Sequence, residues 1–458
     1  MVIYNITDFG AIADGKTLNT QAVQNTIDFC GRNGGGTVFF PDGEFVLSTV
    51  FLKSNVHIEL SDKTVILGSL NFYDYSPDEK VDYPLYQDAS HSFFHCSMFV
   101  GIDCENISIT GKGKIDMRSV WDEKNERNMA HRGAKCIALK ECKNVEISGI
   151  TVNNCTDLAI YFAGCENVDI SGIKMRTYID GISPDNSKNV IIRDCDIETG
   201  DDGIVFKSSY ALNRIDYCKD IKVWNCRIKS RCNAIKFGTE TNGGFYYFDI
   251  FDCYIYETRI TGIAIESVDG AIIDGIKFRN ITLKNVGTPF FVFVGKRLRG
   301  PDWLKAGEIR NITFENITAT GPYEPYNAIE WRYDSFKAKD TYQEPWLLNL
   351  VEYVDEDKTL TKEDCWQITS NICGIEESPL QNITLKNIRL LLDGGCKQDK
   401  IEINKNIADY PEVYVYGRVL PAKGIYFRYV NGLILDNVRI ETYRPDSRED
   451  FIFEGVKI

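Results

Sequence analysis

Asp180, the pair Asp201–Asp202 and Asn233 fall in nearly the same slot of three successive copies of one short repeat. If the copies stack, one slot on successive copies is one place in space, and carboxylates distant in the chain become neighbours. Cleaving a bond between sugars without a cofactor needs such a set: an acid to protonate the leaving oxygen, and a base or nucleophile on the other side. Crowded carboxylates also push their proton affinities apart, so one can stay protonated near neutrality while another is ionised. Taken singly, Asp-Asp before Gly203 is the chemistry of a turn. Its alignment with Asp180 makes it a candidate site. Asp157, one copy earlier, reads as structural.

The elements that must position these groups are legible as a repeat. It runs as Asn144-Val-Glu-Ile-Ser-Gly149-Ile, Asn167-Val-Asp-Ile-Ser-Gly172-Ile and Asn189-Val-Ile-Ile-Arg-Asp194-Cys. It continues through Asp220–Cys226, Gly275–Ile281, Asn311–Ile317 and Asn382–Ile388, with an early copy at Asn106–Gly111 and a worn one at Gly432–Val438. The first intervals are 23 and 22 residues, and later ones are lengthened by insertions. Alternating, β-branched apolar residues with Asn, Asp and Gly between them predict strands and bends. No crossover helix and no leucine framework separates the copies, so the expected fold is all-β, a parallel β-helix whose coils stack about 4.8 Å apart. Each coil buries its apolar face only against its neighbours.

Strand alternation then assigns faces. Ala159, Ile182, Ile204 and Ile235 share one inward slot, and Tyr161, Pro184, Phe206 and Phe237 another. Ser183, Asp185, Val205, Lys207 and Lys236 point outward, and Thr261–Glu266 fits the same frame with one residue inserted, which turns Ala264 and Glu266 outward too. Lys207 and Lys236 would orient an anionic or hydroxyl-rich sugar, or simply be solvated. Glu266 reads equally as a substrate contact and a surface charge, and Asn233 as a site residue or a rung of a structural Asn ladder.

At 458 residues the chain exceeds the usual single core, but a solenoid grows in one dimension, so one domain over 1–458 is expected. Residues 19–31 predict a helix, capped by Asn19 or Thr20, with Ala22, Val23, Ile27 and Cys30 on one side; it would cover the open N-terminal end. Residues 319–380, with Trp331, Trp346 and Trp366, break the repeat as a wall beside a cleft or a packed decoration. The net charge of −14 argues against nucleic-acid or anionic-membrane partners, and no apolar stretch is long enough to span a bilayer. Fifteen Cys, with Cys195, Cys226 and Cys253 recurring in one slot, read as inward core thiols rather than a disulfide framework. They favour the cytoplasm, as does the absence of a leader before the first strand, unless a leader has been removed. Among the Asn-x-Ser/Thr sequences, Asn106, Asn280, Asn311, Asn316 and Asn382 lie in the repeat, where Asn suits the bends; Asn5 lies before it. The four His (His57, His91, His95 and His131) assemble no zinc ligand set, and no metal or cofactor is expected.

Asp180-Gly181-Ile182-Ser-Pro-Asp185 followed by Gly200-Asp201-Asp202-Gly-Ile-Val-Phe-Lys207-Ser resembles glycoside hydrolase family 28, the polygalacturonase family. So do the opening Asp8-Phe-Gly10-Ala-Ile-Ala-Asp-Gly15 and the Asn-x-Thr copies, over roughly residues 1–320. The resemblance implies a right-handed parallel β-helix and hydrolysis with inversion on a carbohydrate substrate, with Asp201 as general acid and Asp180 and Asp202 activating water. Two departures stand out. The family's Gly-His-Gly reads here Cys232-Asn233-Ala234, and its uronate-gripping Arg-Ile-Lys reads Ala264-Ile265-Glu266. Lys207, Lys236 or Arg297 would have to supply another grip. A branched, rhamnose-containing or other pectic or plant-type glycan is as compatible as polygalacturonate, with attack from the chain end expected. The rival readings are a polysaccharide lyase on the same architecture, with Asp180, Asp201 and Asp202 on calcium and a Lys base, and a carbohydrate-binding solenoid without catalysis.

Overall fold

The computed structural model describes residues 2–122, 124, 132–321, 368–397, 401–408, 411–417 and 419–457. The centre of the expected excursion, with Trp331, Trp346 and Trp366, lies outside the described residues, as does His131. The fold is all-β, a right-handed parallel β-helix with a short N-terminal helix. The chain groups into two compact units, Met1–Thr199 with Ser209–Cys226, and Gly200–Ser208 with Arg227–Ile458. No helix among the described residues is long and apolar enough to cross a membrane.

The first unit shows the repeat at its most regular. Strands Lys135–Lys140, Lys143–Ser148 and Thr151–Asn153 make one coil. They pair in parallel with Ile160–Ala163, Glu166–Ser171 and Lys174–Thr177 of the next coil, which pair in turn with Ile182–Asp185, Lys188–Arg193 and Asp196–Thr199. Val145 lies over Val168 and Val190, and Ile147 over Ile170 and Ile192, all buried. Each such side chain contributes about 1.5–3 kcal/mol, which only stacking can deliver.

The recurring Asn has a backbone reason and a side-chain reason. Asn144, Asn167 and Asn189 adopt left-handed φ values of 54°, 58° and 53°, a conformation Asn tolerates better than most residues. Their amides then bond up the stack: Asn144 Nδ2 donates to Asn106 Oδ1 at 2.9 Å, Asn167 to Asn144 at 2.9 Å and Asn189 to Asn167 at 2.6 Å. The fourteen cysteines of the described residues, Cys195, Cys226 and Cys253 among them, are free and buried.

The helix runs Thr20–Arg32, one residue later than its sequence reading, and buries Val23, Thr26, Ile27 and Cys30 while Ala22 stays half-buried. Asn19 precedes it without capping it. Its side chain is drawn instead to the Ile12 amide at 2.7 Å and the Thr17 carbonyl at 2.7 Å, because the tight loop before the helix offers better-placed partners.

One register assignment needs correction. The structure pairs Ile160 with Ile182, Tyr161 with Ser183 and Phe162 with Pro184, so Ala159 and Tyr161 are not in the slots of Ile182 and Pro184. The extra residue of the 23-residue coil falls before the strand and shifts it by one. Tyr161 consequently sits on the face of Ser183 and stacks on Phe94.

In the second unit the expected alternation holds. Ile204 pairs with Ile235, Val205 with Lys236 and Phe206 with Phe237; Ile235 then pairs with Ile263, Lys236 with Ala264 and Phe237 with Ile265. The next coils add Phe290 beside Ile263 and Phe293 beside Glu266. An Asn ladder recurs here: Asn382 donates to Asn311 at 3.0 Å, and Asn311 to Asp274 at 2.7 Å. The outer face of this stack carries a second apolar layer. Ala264, Phe291, Phe293, Cys373 and Tyr426 are buried under Val413, Val415, Tyr416 and Leu420, with Ile403 and Ile407 packed against them. An irregular segment near the C-terminus therefore lies over side chains that alternation turns away from the solenoid interior.

Candidate functional site

In the first unit, Asp180 sits in the bend just before the strand Ile182–Asp185 and is 5% exposed; its carbonyl accepts the Ala159 amide at 3.0 Å. The other two carboxylates of this region are structurally engaged. Asp157 lies 3.2 Å from the fully buried Lys135 ammonium and 3.8 Å from Arg132. Asp185 accepts from Tyr161 Oη at 3.1 Å and from the Ser209 amide at 2.9 Å, and its other side-chain partner is the Ser209 hydroxyl.

In the second unit, Asp201 and Asp202 occupy the turn that opens the strand Ile204–Ser208. Ser230 Oγ donates to the Asp201 carbonyl at 2.6 Å, which pins the turn to the following coil. Asp201 is half-buried, whereas Asp202 is 5% exposed. Asn233 is not a rung of the Asn ladder. Its backbone and side-chain amides both donate to Asp202 Oδ1, at 3.1 and 2.8 Å. Lys236 Nζ stands 3.6 Å from Asp202 Oδ2 on the other side.

That ammonium is shared by three carboxylates. It lies 3.7 Å from Glu266 Oε1 and 3.4 Å from Glu412 Oε1 as well. Burial is the largest influence on all three acids and raises their pKa values; Lys236 opposes the rise, and the other carboxylates reinforce it. Glu266, 0% exposed, is pushed up to about 8. Neither of its oxygens accepts a hydrogen bond, and Glu412 Oε2 and Asn233 Oδ1 are likewise buried without a donor among the described residues.

The remaining predicted contacts are held more firmly than a solvated surface would hold them. Lys207 is buried and donates to Glu240 Oε2 at 2.7 Å. Arg299 pairs with the other oxygen of Glu240. Arg297 donates Nε to Asp269 Oδ1 at 2.9 Å and reaches the Thr239 carbonyl at 2.8 Å. The outward direction assigned to Lys207, Lys236 and Glu266 was thus compatible with deep burial, because the segment around Glu412 and the pairs of Glu240 cover the outside of the strands. Glu240 was overlooked, although it follows Lys236 at even spacing along one strand, Asn233–Thr241. Glu412 lies in a segment without the repeat, 176 residues from Lys236, and nothing in its own sequence context announces the contact.

A half-buried carboxyl beside a buried one with raised proton affinity, the latter fixed by an amide and an ammonium, can divide the work of acid and base. An acidic pair is also the donor chemistry of a divalent cation, but that pair alone does not make a cation site.

Residues 30–340 match the model of the family described as glycosyl hydrolases family 28. The chain is 25% identical over 460 residues to an exo-poly-alpha-D-galacturonosidase of Dickeya chrysanthemi, covering 84% of this chain and 71% of that protein. It is 26% identical to a probable polygalacturonase of Vitis vinifera over 63% of this chain, and spans 62% of that relative's length. Among solved structures, the Yersinia enterocolitica family 28 exopolygalacturonase superposes with a TM-score of 0.67 at 21% identity, over 100% of this chain and 78% of its own; this likeness is one of fold.

Proposed function

The chain belongs to family 28 of the glycosyl hydrolases, and from that premise we propose that it cleaves a pectic glycan with inversion, taking sugars from a chain end. The observation that carries the reading is the setting of Asp202. Two amide donors from Asn233 and the Lys236 ammonium favour its ionised form, while burial and Asp201 favour its protonated form. A carboxylate balanced in this way can accept a proton from water and return it. Asp201, half-exposed in the same turn, is the acid. The family resemblance of the Asp180-Gly181 and Gly200-Asp201-Asp202 motifs assigns Asp180, like Asp202, to activating the water.

The reaction balances simply. The water gives a proton to the Asp202 or Asp180 carboxylate, and its oxygen forms the new bond to the anomeric carbon. The glycosidic C–O bond breaks, and Asp201 gives its proton to the leaving oxygen. The chain-end preference is supported by the exo-poly-alpha-D-galacturonosidase and exopolygalacturonase names among the relatives. The net charge of −14 supports a carbohydrate, rather than nucleic acid or an anionic membrane, as the partner.

The test is turnover on defined pectic oligosaccharides, with products read by mass and by the anomeric proton signal of the first-formed sugar. Products heavier by one water, initially of inverted configuration, are expected. Asp201→Asn and Asp202→Asn should each lose at least about 100-fold in rate, Asp201→Asn while retaining the wild-type melting temperature. Full turnover by either variant, or products with a double bond and no added water, would remove the assignment.

A further inference from the structure

The charged side chains around Asp202 fall into a tally that bears on the substrate. Four cations of this region, Lys236, Lys207, Arg297 and Arg299, each face a carboxylate. Lys236 has Asp202, Glu266 and Glu412 within 3.4–3.7 Å. Glu240 takes Lys207 at 2.7 Å and Arg299 as well, and Asp269 takes Arg297. These four positive groups thus meet five acids (Asp202, Glu266, Glu412, Glu240 and Asp269), and with a proton on Glu266 this set of described pairs is balanced. A bound uronate would add a negative charge to a buried region already neutralised, where an uncompensated charge is strongly disfavoured. The whole chain, at −14, offers no long-range attraction to a polyanion either.

The unsatisfied atoms of the same region point the same way. Both Glu266 oxygens, Glu412 Oε2 and Asn233 Oδ1 are buried without a hydrogen-bond donor among the described residues. Buried polar atoms in native proteins are almost always bonded, so these four atoms beside Asp202 and Lys236 call for partners. These are acceptors, and the missing partners are donors. Sugar hydroxyls are donors; a carboxylate is an acceptor only.

We propose that the sugar seated beside Asp202 is uncharged and is recognised through its hydroxyl groups by Glu266, Glu412 and Asn233, so that this enzyme acts at a neutral sugar of its glycan and discriminates against a uronic acid there. The proposal rests on the hydrolase reading of Asp202 and deepens it by naming the substrate class. Glu240 is a specificity-determining residue in this scheme, because it neutralises two cations at once.

The experiment uses the full chain carrying Asp201→Asn, titrated calorimetrically with two oligosaccharides of one length and linkage: an oligogalacturonate, and the same molecule with its carboxyl groups reduced to primary alcohols. The alcohol form should bind at least about tenfold more tightly. Adding Glu240→Gln should raise uronate affinity several-fold and leave the alcohol form unchanged, whereas a purely structural role would weaken both alike. Equal or tighter binding of the uronate form overturns the inference, and so does failure of both to bind. Hydrolysis by the unsubstituted protein is scored separately. Tight binding of the alcohol form without turnover of any pectic oligosaccharide would remove the hydrolase reading and leave the recognition site standing.

Discussion

Glu266 illustrates how far a single side chain is altered by its surroundings. In the unfolded chain it titrates near 4.5; folded, burial raises it to about 8, against the pull of Lys236. Between those values the folded protein holds a proton that the unfolded chain has released, so the stability associated with this group is present at low pH and is lost as pH rises towards 8. Asp202 and Glu412, also raised, act in the same direction. Urea denaturation between about pH 5 and pH 9 should therefore show stability falling with pH, and Glu266→Gln should flatten that slope. An unchanged slope in the variant would show that Glu266 ionises freely. At this scale the sequence was informative about position and silent about partnership. The slot that Asp202 shares with Asn233 followed from counting, and the faces of Lys236 and Glu266 from alternation. The depth at which those charges lie depends on Glu412 and Glu240, and a contact spanning 176 residues leaves no periodic trace.

The coil is the element that converts sequence spacing into spatial order, and its bends are held by asparagine. Asn311 has a left-handed φ of 56°, gives a hydrogen bond to Asp274 and takes one from Asn382. Asn311→Ala should destabilise the protein by about 1–3 kcal/mol, through backbone strain and two lost bonds, whereas Asn311→Gly should lose only the bonds. Chemical denaturation of the two variants measures the difference, and equal losses would assign the role of Asn to its side chain alone. The repeat was legible because strand, bend and ladder each demand a particular residue type. Its phase was less so: the shift of Ala159 and Tyr161 by one residue arose because a 23-residue coil does not state where its additional residue lies. The helix likewise began at Thr20 because Asn19 found partners in the preceding loop.

At the scale of the whole molecule, the second unit departs from a bare solenoid by burying both faces of some strands. Tyr416 packs edge-on to Phe293 at 5.7 Å and to Tyr426 at 6.0 Å, which fixes the covering segment to the outer side of the coils. Tyr416→Ala should cost about 3–5 kcal/mol if the cavity stays open, and should expose residues 411–417 to proteolysis before the stacked strands. Simultaneous cleavage in both regions would show that the cover has no separate stability. No reading of the repeat anticipated this layer, since its residues obey no coil period. The ladders carry a different consequence, for how the protein ages. Spontaneous conversion of asparagine to aspartate needs the side-chain carbonyl to swing onto the next backbone nitrogen. In the ladders that carbonyl is held by the coil above, and the following residue is a buried Val or Ile, as at Val145, Val168 and Ile312. Asn33, exposed at the end of the helix and followed by Gly34, has neither protection, so it will suffer storage damage before the ladder positions do.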